Sequence, residues 1–142
     1  MIVFDASAAV KLLFDESDSS FVRAWFRNID EDLTAPDLLN VEVTQAVVRR
    51  VNARYVTKPH ARATLREWGG FLNVGAITLR PLSVALVGAA AELAMNLGHP
   101  LADCVYLAAA LDLGCDLATC DAKFHARAAP YRSRIRLLAD FA

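Results

Sequence analysis

The chain has 142 residues, enough for one domain with its own hydrophobic core. Hydrophobic residues make up 56% of the sequence and charged residues 22%, a balance that excludes an intrinsically disordered chain. The net charge is −1, and the apolar runs are interrupted well before the length of a membrane-spanning helix, so we expect none. The chain begins with a strand and a helix start rather than a basic leader, and we therefore expect a cytoplasmic protein. Cys104, Cys115 and Cys120 lack the spacing of a zinc site or a disulfide framework and are expected to be reduced.

Short apolar segments alternate along the chain with segments of helical periodicity. The predicted strands cover residues 2–4, 32–36, 76–82, 117–119 and 134–138. The predicted helices cover residues 7–13, 18–29, 37–54, 57–72, 83–98, 101–113 and 122–128. This alternation predicts an α/β fold for residues 1–142 as one domain, with a short, mostly parallel central sheet flanked by helices on both faces.

Local signals mark several helix ends. Ser7 is expected to cap the first helix, and Pro36 to lie in the first turn of the third. Gly69–Gly70 is expected to loosen the fourth helix, since glycine is a poor helix former. Gly98 and Gly114 follow the fifth and sixth helices, where a glycine typically ends a helix.

Acidic residues lie where parallel α/β sheets collect their functional groups, at the carboxyl ends of strands. Asp5 directly follows the first strand, and Asp121 follows the strand 117–119 with one residue between. Asp103 lies in the first turn of an otherwise apolar helix, where the helix dipole favours an ionised carboxylate. An ionised acid among apolar neighbours needs a partner. Glu42 lies about two turns into the helix 37–54.

Each of these acids also has a purely structural interpretation. Asp5 is a good helix cap, Asp103 a good dipole partner and Asp121 a good turn residue. Glu42 lies on a polar helix face, so periodicity alone favours solvent exposure for it. The functional interpretation therefore depends on the set rather than on any single acid.

Four carboxylates in one pocket cannot all stay ionised without a compensating charge. Oxygen ligands favour the hard cations Mg²⁺ or Mn²⁺, and either one or two ions would fit the hypothesis. Such a site activates water and neutralises charge that develops on a phosphate. Polar residues close to the acids in sequence are expected to orient water or a carboxylate, namely Ser7, Asn40 and Thr119.

Basic residues are concentrated in two segments that contain no acid. Residues 49–66 and 123–136 together carry eleven of the fifteen lysines and arginines. Basic surfaces beside an acidic centre suit a bound polyanion, although a solvated helix face explains either segment taken alone.

Four segments together resemble PIN-domain ribonucleases, and within them the VapC-type toxins of bacterial toxin–antitoxin pairs. The segments are VFDASA, LLNVEVTQAV, HPLADCVYLAAA and LATCDAKF, and they occur in the family's order over nearly the whole chain. The resemblance assigns the catalytic and metal-holding role to Asp5, Glu42, Asp103 and Asp121. It thereby replaces the solvent-exposed interpretation of Glu42. Some PIN domains carry a further acid where this chain has Lys123.

The resemblance implies an endoribonuclease toxin that depends on Mg²⁺ or Mn²⁺. In the family, the acids hold the cation, an activated water cleaves an RNA phosphodiester, and structured RNAs such as tRNA or rRNA are typical substrates. A small VapB-type antitoxin silences the enzyme, and a homodimer is common. In this setting we expect RNA phosphates to be held by Arg49, Arg50, Arg54 and Arg62.

Three other interpretations stay open to different degrees. A receiver-type phosphoacceptor module is disfavoured, because Asp5 has no acidic neighbour and no lysine closely follows the last strand. A PIN domain that acts only as a binding scaffold is disfavoured by the presence of all four acids. A DNA-directed nuclease of the same fold stays open as an alternative, although the short chain leaves little room for the extensions with which such enzymes grip DNA.

Overall fold

The computed structural model describes residues 1–141, in which five short strands form one parallel sheet. The strands are β1 (Ile2–Phe4), β2 (Leu33–Pro36), β3 (Thr78–Arg80), β4 (Asp116–Thr119) and β5 (Ile135–Leu137). Their order is β3-β2-β1-β4-β5, and every neighbouring pair is parallel. All three residues of β1 are buried. Because successive side chains point to opposite faces of a sheet, both faces are covered at the centre. The predicted α/β fold is confirmed, with a sheet that is parallel throughout.

Helices connect the strands and cover the sheet. They are α1 (Ala6–Leu13), α2 (Ser19–Asn28), α3 (Leu38–Asn52), α4 (Lys58–Asn73), α5 (Val84–Leu97), α6 (Leu101–Leu113) and α7 (Ala122–Arg127). Helix α6 packs across β1, β2 and β4, with α5 against it. Helix α1 contacts β4 and α3 contacts β2, with α2 and α4 packed beside them. The 3₁₀ turns Ala129–Arg134 and Leu138–Phe141 flank β5.

Three local predictions are wrong. Ser7 does not cap α1, because Asp5 takes that place and its Oδ1 accepts a hydrogen bond from the Ala8 amide at 3.1 Å. Pro36 ends β2 instead of opening α3, since its fixed φ also fits extended backbone. Gly69–Gly70 lies within an unbroken α4, which the buried Trp68 beside it anchors to the core.

Aromatic side chains fill the core on the side of α2 and α4. Phe4 stacks on Trp25 with ring centroids 5.8 Å apart, and it also contacts Phe26. Trp68 is 2% exposed, and its indole N–H donates to Asn40 Oδ1 at 3.0 Å. Both tryptophans are thus core residues. The three cysteines are free, with Cys104 fully buried.

Helices α5 and α6 are apolar but differ in burial. Helix α6 is buried continuously from Cys104 to Ala110, whereas α5 leaves apolar side chains exposed, among them Val84, Val87 and Met95. Across residues 1–141, no single helix is long and apolar enough to cross a membrane. The two helices reach that length and hydropathy only when taken together, and the chain bends by 117° between them.

Replacing Gly114 and Gly70 with alanine is expected to change stability in opposite directions. Gly114 follows α6 with a φ of 65°, so alanine there should lower the free energy of unfolding by about 1–2 kcal/mol. Gly70 is an exposed helical residue with open space where a Cβ would stand, so alanine should raise it by about 0.5–1 kcal/mol. Urea unfolding followed by circular dichroism measures both changes. Equal losses in the two variants would contradict a regular α4 at Gly70.

Candidate active site

Asp5 directly follows the central strand and places a buried carboxylate at the head of α1. Its side chain is 4% exposed, and Oδ1 accepts hydrogen bonds from Ser7 Oγ at 2.6 Å and from the Ala8 amide. Burial raises the pKa of Asp5 to about 6, although hydrogen bonds from Ser7, Thr119 and Ala8 oppose the shift. The charge of Asp103 raises this pKa further. Asp5 is therefore a buried acid whose ionised form lacks sufficient compensation.

Asp103 is held by a histidine from the turn that precedes its helix. Its Oδ2 lies 2.6 Å from His99 Nε2, and the His99 side chain is only 7% exposed. The imidazole stacks on Phe124 with ring centroids 4.7 Å apart, so the ring is fixed from its other side. Asp103 thus has a defined orientation at the head of α6, and its carboxylate is about one third exposed.

Glu42 reaches the same site from the second turn of α3. It is half-buried, and the Tyr106 hydroxyl donates to its Oε2 at 2.5 Å. Burial raises the pKa of Glu42, the Tyr106 hydrogen bond lowers it, Asp103 raises it and Arg49 lowers it. The carboxylates of Glu42, Asp5 and Asp103 all act electrostatically on Tyr106 and, together with burial, raise the pKa of its hydroxyl. The structure therefore brings three of the four predicted acids together.

Asp121 lies at the edge of this cluster. Its Oδ1 caps α7 by accepting from the Phe124 amide at 2.9 Å, and its own amide donates to Thr119 Oγ1. Thr119 Oγ1 lies 3.2 Å from Ser7 Oγ, which links Asp121 to Asp5 through two hydroxyls. Among the predicted supporting residues, Ser7 and Thr119 contact the acid cluster. Asn40 accepts the indole hydrogen bond of Trp68 and has a packing role.

The oxygen donors at this site are carboxylates from three different elements, namely Asp5, Glu42 and Asp103. Within residues 1–141, no three His, Cys, Asp or Glu side chains stand in an arrangement that could by itself hold a metal ion. Glu42 Oε2 and Asp103 Oδ2 carry the hydrogen bonds, and their second oxygens accept none from the described chain. Oxygen donors with excess negative charge fit a hard cation that keeps several waters, such as Mg²⁺, rather than a closed cage.

The arginines of the first basic segment differ in availability. Arg49, Arg54 and Arg62 are exposed, and Arg49 is close enough to Glu42 to lower its pKa. Arg50 is half-buried, because its guanidinium donates to Glu16 Oε1 at 2.9 Å and lies 3.9 Å from the centroid of the Phe14 ring. In the second basic segment, two arginines also have partners. Arg134 and Arg136 form ion pairs with Asp116, which begins β4 at the end away from the acid cluster.

Two residues that hold the acids, His99 and Tyr106, were not singled out from the sequence. Tyr106 follows Asp103 by three residues on α6 and is its helical neighbour, whereas His99 precedes it by four residues in the turn before the helix. A polar atom in an otherwise apolar helix needs a partner, which is the signal that would have found Tyr106.

Comparison with known proteins shows the family and the fold of the chain. Residues 2–130 match the family model of the PIN domain, and the chain belongs to the PIN domain family. Among solved structures, it is similar to Mycobacterium tuberculosis VapC20, a sarcin-ricin loop cleaving toxin, with a TM-score of 0.72 and 14% identity over 89% of this chain and 94% of that one. It is also similar to a chain of a toxin–antitoxin complex from Klebsiella pneumoniae, with a TM-score of 0.62 and 15% identity over 89% and 91% of the two chains.

At these identities the two structures share the fold with this chain. A comparison with curated protein sequences gave no match. The family resemblance seen in the four sequence segments is confirmed, as is the PIN fold it implied.

Asp5 should make the stability depend on pH in a definite direction. Its pKa of about 6 exceeds the ordinary 3.8, so its contribution to folding is fully present below about pH 4 and is lost as pH rises through 6. The shift corresponds to about 3 kcal/mol. Asparagine does not titrate, so the free energy of unfolding of Asp5→Asn should rise relative to that of the wild type as pH increases from 4 to 8. Urea unfolding in chelator measures this difference.

Asp15→Asn is the matched control for this experiment. The Asp15 side chain is 92% exposed and pairs with Arg23 at the surface. The Asp15→Asn variant should show nearly the same difference in the free energy of unfolding between pH 4 and pH 8 as the wild type. If Asp5→Asn behaved in the same way as this control, the buried carboxylate would not titrate as the structure indicates.

Proposed function

We propose that the chain is a VapC-type toxin that hydrolyses phosphodiester bonds of RNA with the help of Mg²⁺ or Mn²⁺. The observation that carries the proposal is the convergence of Asp5, Glu42 and Asp103 from β1, α3 and α6 at one edge of the sheet. The charge of Asp103 raises the pKa of both other acids, so the site has excess negative charge. Membership in the PIN domain family and the fold shared with a toxin support it.

In this proposal, Asp5, Glu42 and Asp103 hold one or two divalent cations, with Asp121 at the edge of the same site. A bound divalent cation lowers the pKa of water and neutralises the charge that develops on a phosphate. Ser7 orients the Asp5 carboxylate and His99 orients that of Asp103. Water attacks the phosphorus in line and gives up a proton to the solvent, the bond to the 3′ oxygen breaks, and that oxygen takes up a proton, which leaves a 5′-phosphate and a 3′-hydroxyl.

Exposed arginines next to the acids are proposed to hold the RNA backbone. Arg49 follows Glu42 by seven residues on α3, two helical turns along the same face. Arg54 and Arg62 extend this exposed positive charge beyond the helix end. Arg50, which was predicted with them, instead joins α3 to the segment that follows α1, through Glu16 and Phe14. We therefore assign phosphate contacts first to Arg49, Arg54 and Arg62.

A small VapB-type antitoxin and a second copy of the chain are the proposed protein partners. One of the two structures with this fold comes from a toxin–antitoxin complex, which supports the antitoxin. The exposed apolar residues of α5, including Val84 and Met95, favour self-association. Sedimentation of the purified chain as a monomer at micromolar concentration would exclude the second partner. The proposal locates the enzyme in the cytoplasm, together with its RNA substrate.

The first test of the proposal is cleavage of a pool of tRNA and rRNA by the purified chain, freed of any partner. Discrete fragments are expected with Mg²⁺ or Mn²⁺ and none with chelator. Asp103→Asn should reduce the rate at least about 100-fold, because a direct ligand matters at least as much as the residues that orient it. Asp112→Asn removes an exposed carboxylate from the far end of the same helix and should leave the rate unchanged.

Other outcomes of this assay separate the competing functions. Equal cleavage by the wild type and Asp103→Asn would overturn the assignment of the site. Absence of cleavage together with absence of Mn²⁺ binding would favour a binding scaffold. Faster cleavage of single-stranded or flap DNA than of RNA would favour the DNA-directed nuclease.

Arginine substitutions should change the salt dependence of RNA binding. Replacing Arg49, Arg54 and Arg62 with glutamine removes three proposed phosphate contacts. The slope of log affinity against log salt concentration should then fall by about 2 for a single-stranded substrate. Fluorescence anisotropy of a labelled RNA measures the slope, in a buffer with chelator so that the RNA is not cleaved. Arg27→Gln, an exposed arginine of α2, is the control, and an unchanged slope in the triple variant would exclude this surface.

A further inference from the structure

Tyr106 places a hydroxyl inside the acid cluster from the buried side of α6. Its side chain is 1% exposed, and the residues that flank it from Cys104 to Ala110 are all buried. The hydroxyl donates to Glu42 Oε2 at 2.5 Å. Because the ring is enclosed by the core, the position of this donor is fixed by packing and does not depend on solvent.

Glu42 needs such a donor more than the other acids do. Asp5 is fixed by a helix cap and by Ser7, and Asp103 by His99. Glutamate is longer and loses more rotamer freedom when it is ordered. Its place on a polar face of α3 would otherwise allow it to turn toward solvent.

We infer that Tyr106 is a positioning residue for the nuclease site proposed above, and that its hydroxyl fixes the Glu42 carboxylate beside Asp5 and Asp103. The inference rests on the proposed function. Tyr106 follows Asp103 by three residues on α6, so the helix that supplies one acid also orients a second. The hydrogen bond occupies Oε2, and Oε1 is the oxygen available to a cation.

The hydrogen bond separates this role from simple packing. A phenylalanine ring would occupy the same core position, so packing alone does not require the hydroxyl, whose burial has a cost unless it is bonded. In this fold the hydroxyl is bonded to one of the acids of the site, Glu42, across 64 residues of sequence.

The test is Tyr106→Phe, which removes the donor and keeps the ring. Mn²⁺ affinity of the purified chain without RNA, measured from the electron paramagnetic resonance signal of free Mn²⁺, should weaken about 10- to 100-fold. The kcat for RNA cleavage should fall by a similar factor while KM stays unchanged. Tyr131→Phe removes the hydroxyl of a half-buried tyrosine that packs against the core elsewhere, and it should change neither quantity.

A double-mutant cycle shows whether Tyr106 acts through Glu42. In a Glu42→Gln background, adding Tyr106→Phe should cause no further loss of Mn²⁺ affinity, because the carboxylate to be positioned is gone. Additive losses would overturn the inference. So would wild-type Mn²⁺ affinity and kcat in Tyr106→Phe.

The same measurements distinguish failure of this inference from failure of the proposed function. Mn²⁺ binding by the wild type that weakens in Glu42→Gln but not in Tyr106→Phe overturns the inference alone. A wild-type chain that binds no Mn²⁺ overturns both. Thermal unfolding confirms that each variant is folded. If Tyr106→Phe did not fold, Glu42→Asp, which keeps the charge but shortens the reach to the hydroxyl, should show the same loss, and wild-type affinity in it would contradict the inference.

Discussion

The buried carboxylate of Asp5 is the constraint on which the site depends. It directly follows β1, caps α1, and accepts a hydrogen bond from Ser7, whose hydroxyl in turn accepts one from the Cys120 amide at 2.9 Å. Asp5 and Ser7 together thus join the ends of β1 and β4 to α1. Burial raises the pKa of Asp5 to about 6, so the ionised form that a cation requires is also the form that the fold tolerates poorly. Under the proposed function, cation binding relieves this conflict, so that stability and activity are linked through the same carboxylate.

For the other acids, the residue that orients the carboxylate lies on a different element from the acid itself. Glu42 comes from α3 but is held by a donor on α6, and Asp103 comes from α6 but is held from the turn before it. The stack of His99 on Phe124 continues this pattern, because the Phe124 amide also binds Asp121. Displacing one packed ring would therefore disturb two acids together. No lysine or arginine is buried within residues 1–141, so hydroxyl groups and the His99 imidazole orient the carboxylates without neutralising all of their charge.

The fold and the strand-end acids could be predicted from sequence, because parallel sheets bring the ends of their strands to one edge. Glu42 could not be predicted from periodicity, which favours solvent for it, and was found only through the family's motifs. Its contact with Tyr106 spans 64 residues, and local patterns do not encode such pairings. The cap of α1 was misplaced because Asp5 and Ser7 are both good caps two residues apart, and the helix begins at Ala6. The choice between them depends on the hydroxyl contacts that Ser7 makes with β4.

Arg49 and Arg50 are adjacent in the sequence but face different parts of the molecule, so a run of basic residues does not indicate which of them lie near the acids. Adjacent residues on a helix point about 100° apart, so Arg50 faces Glu16 and Phe14 while Arg49 lies near Glu42. Arg49 lowers the pKa of Glu42 and so supplies part of the positive charge that the acids lack. Under the proposed function, an arriving phosphate competes with Glu42 for that arginine. Glu42 then depends more on the cation, so that RNA binding and metal binding become coupled through one side chain at the edge of the site.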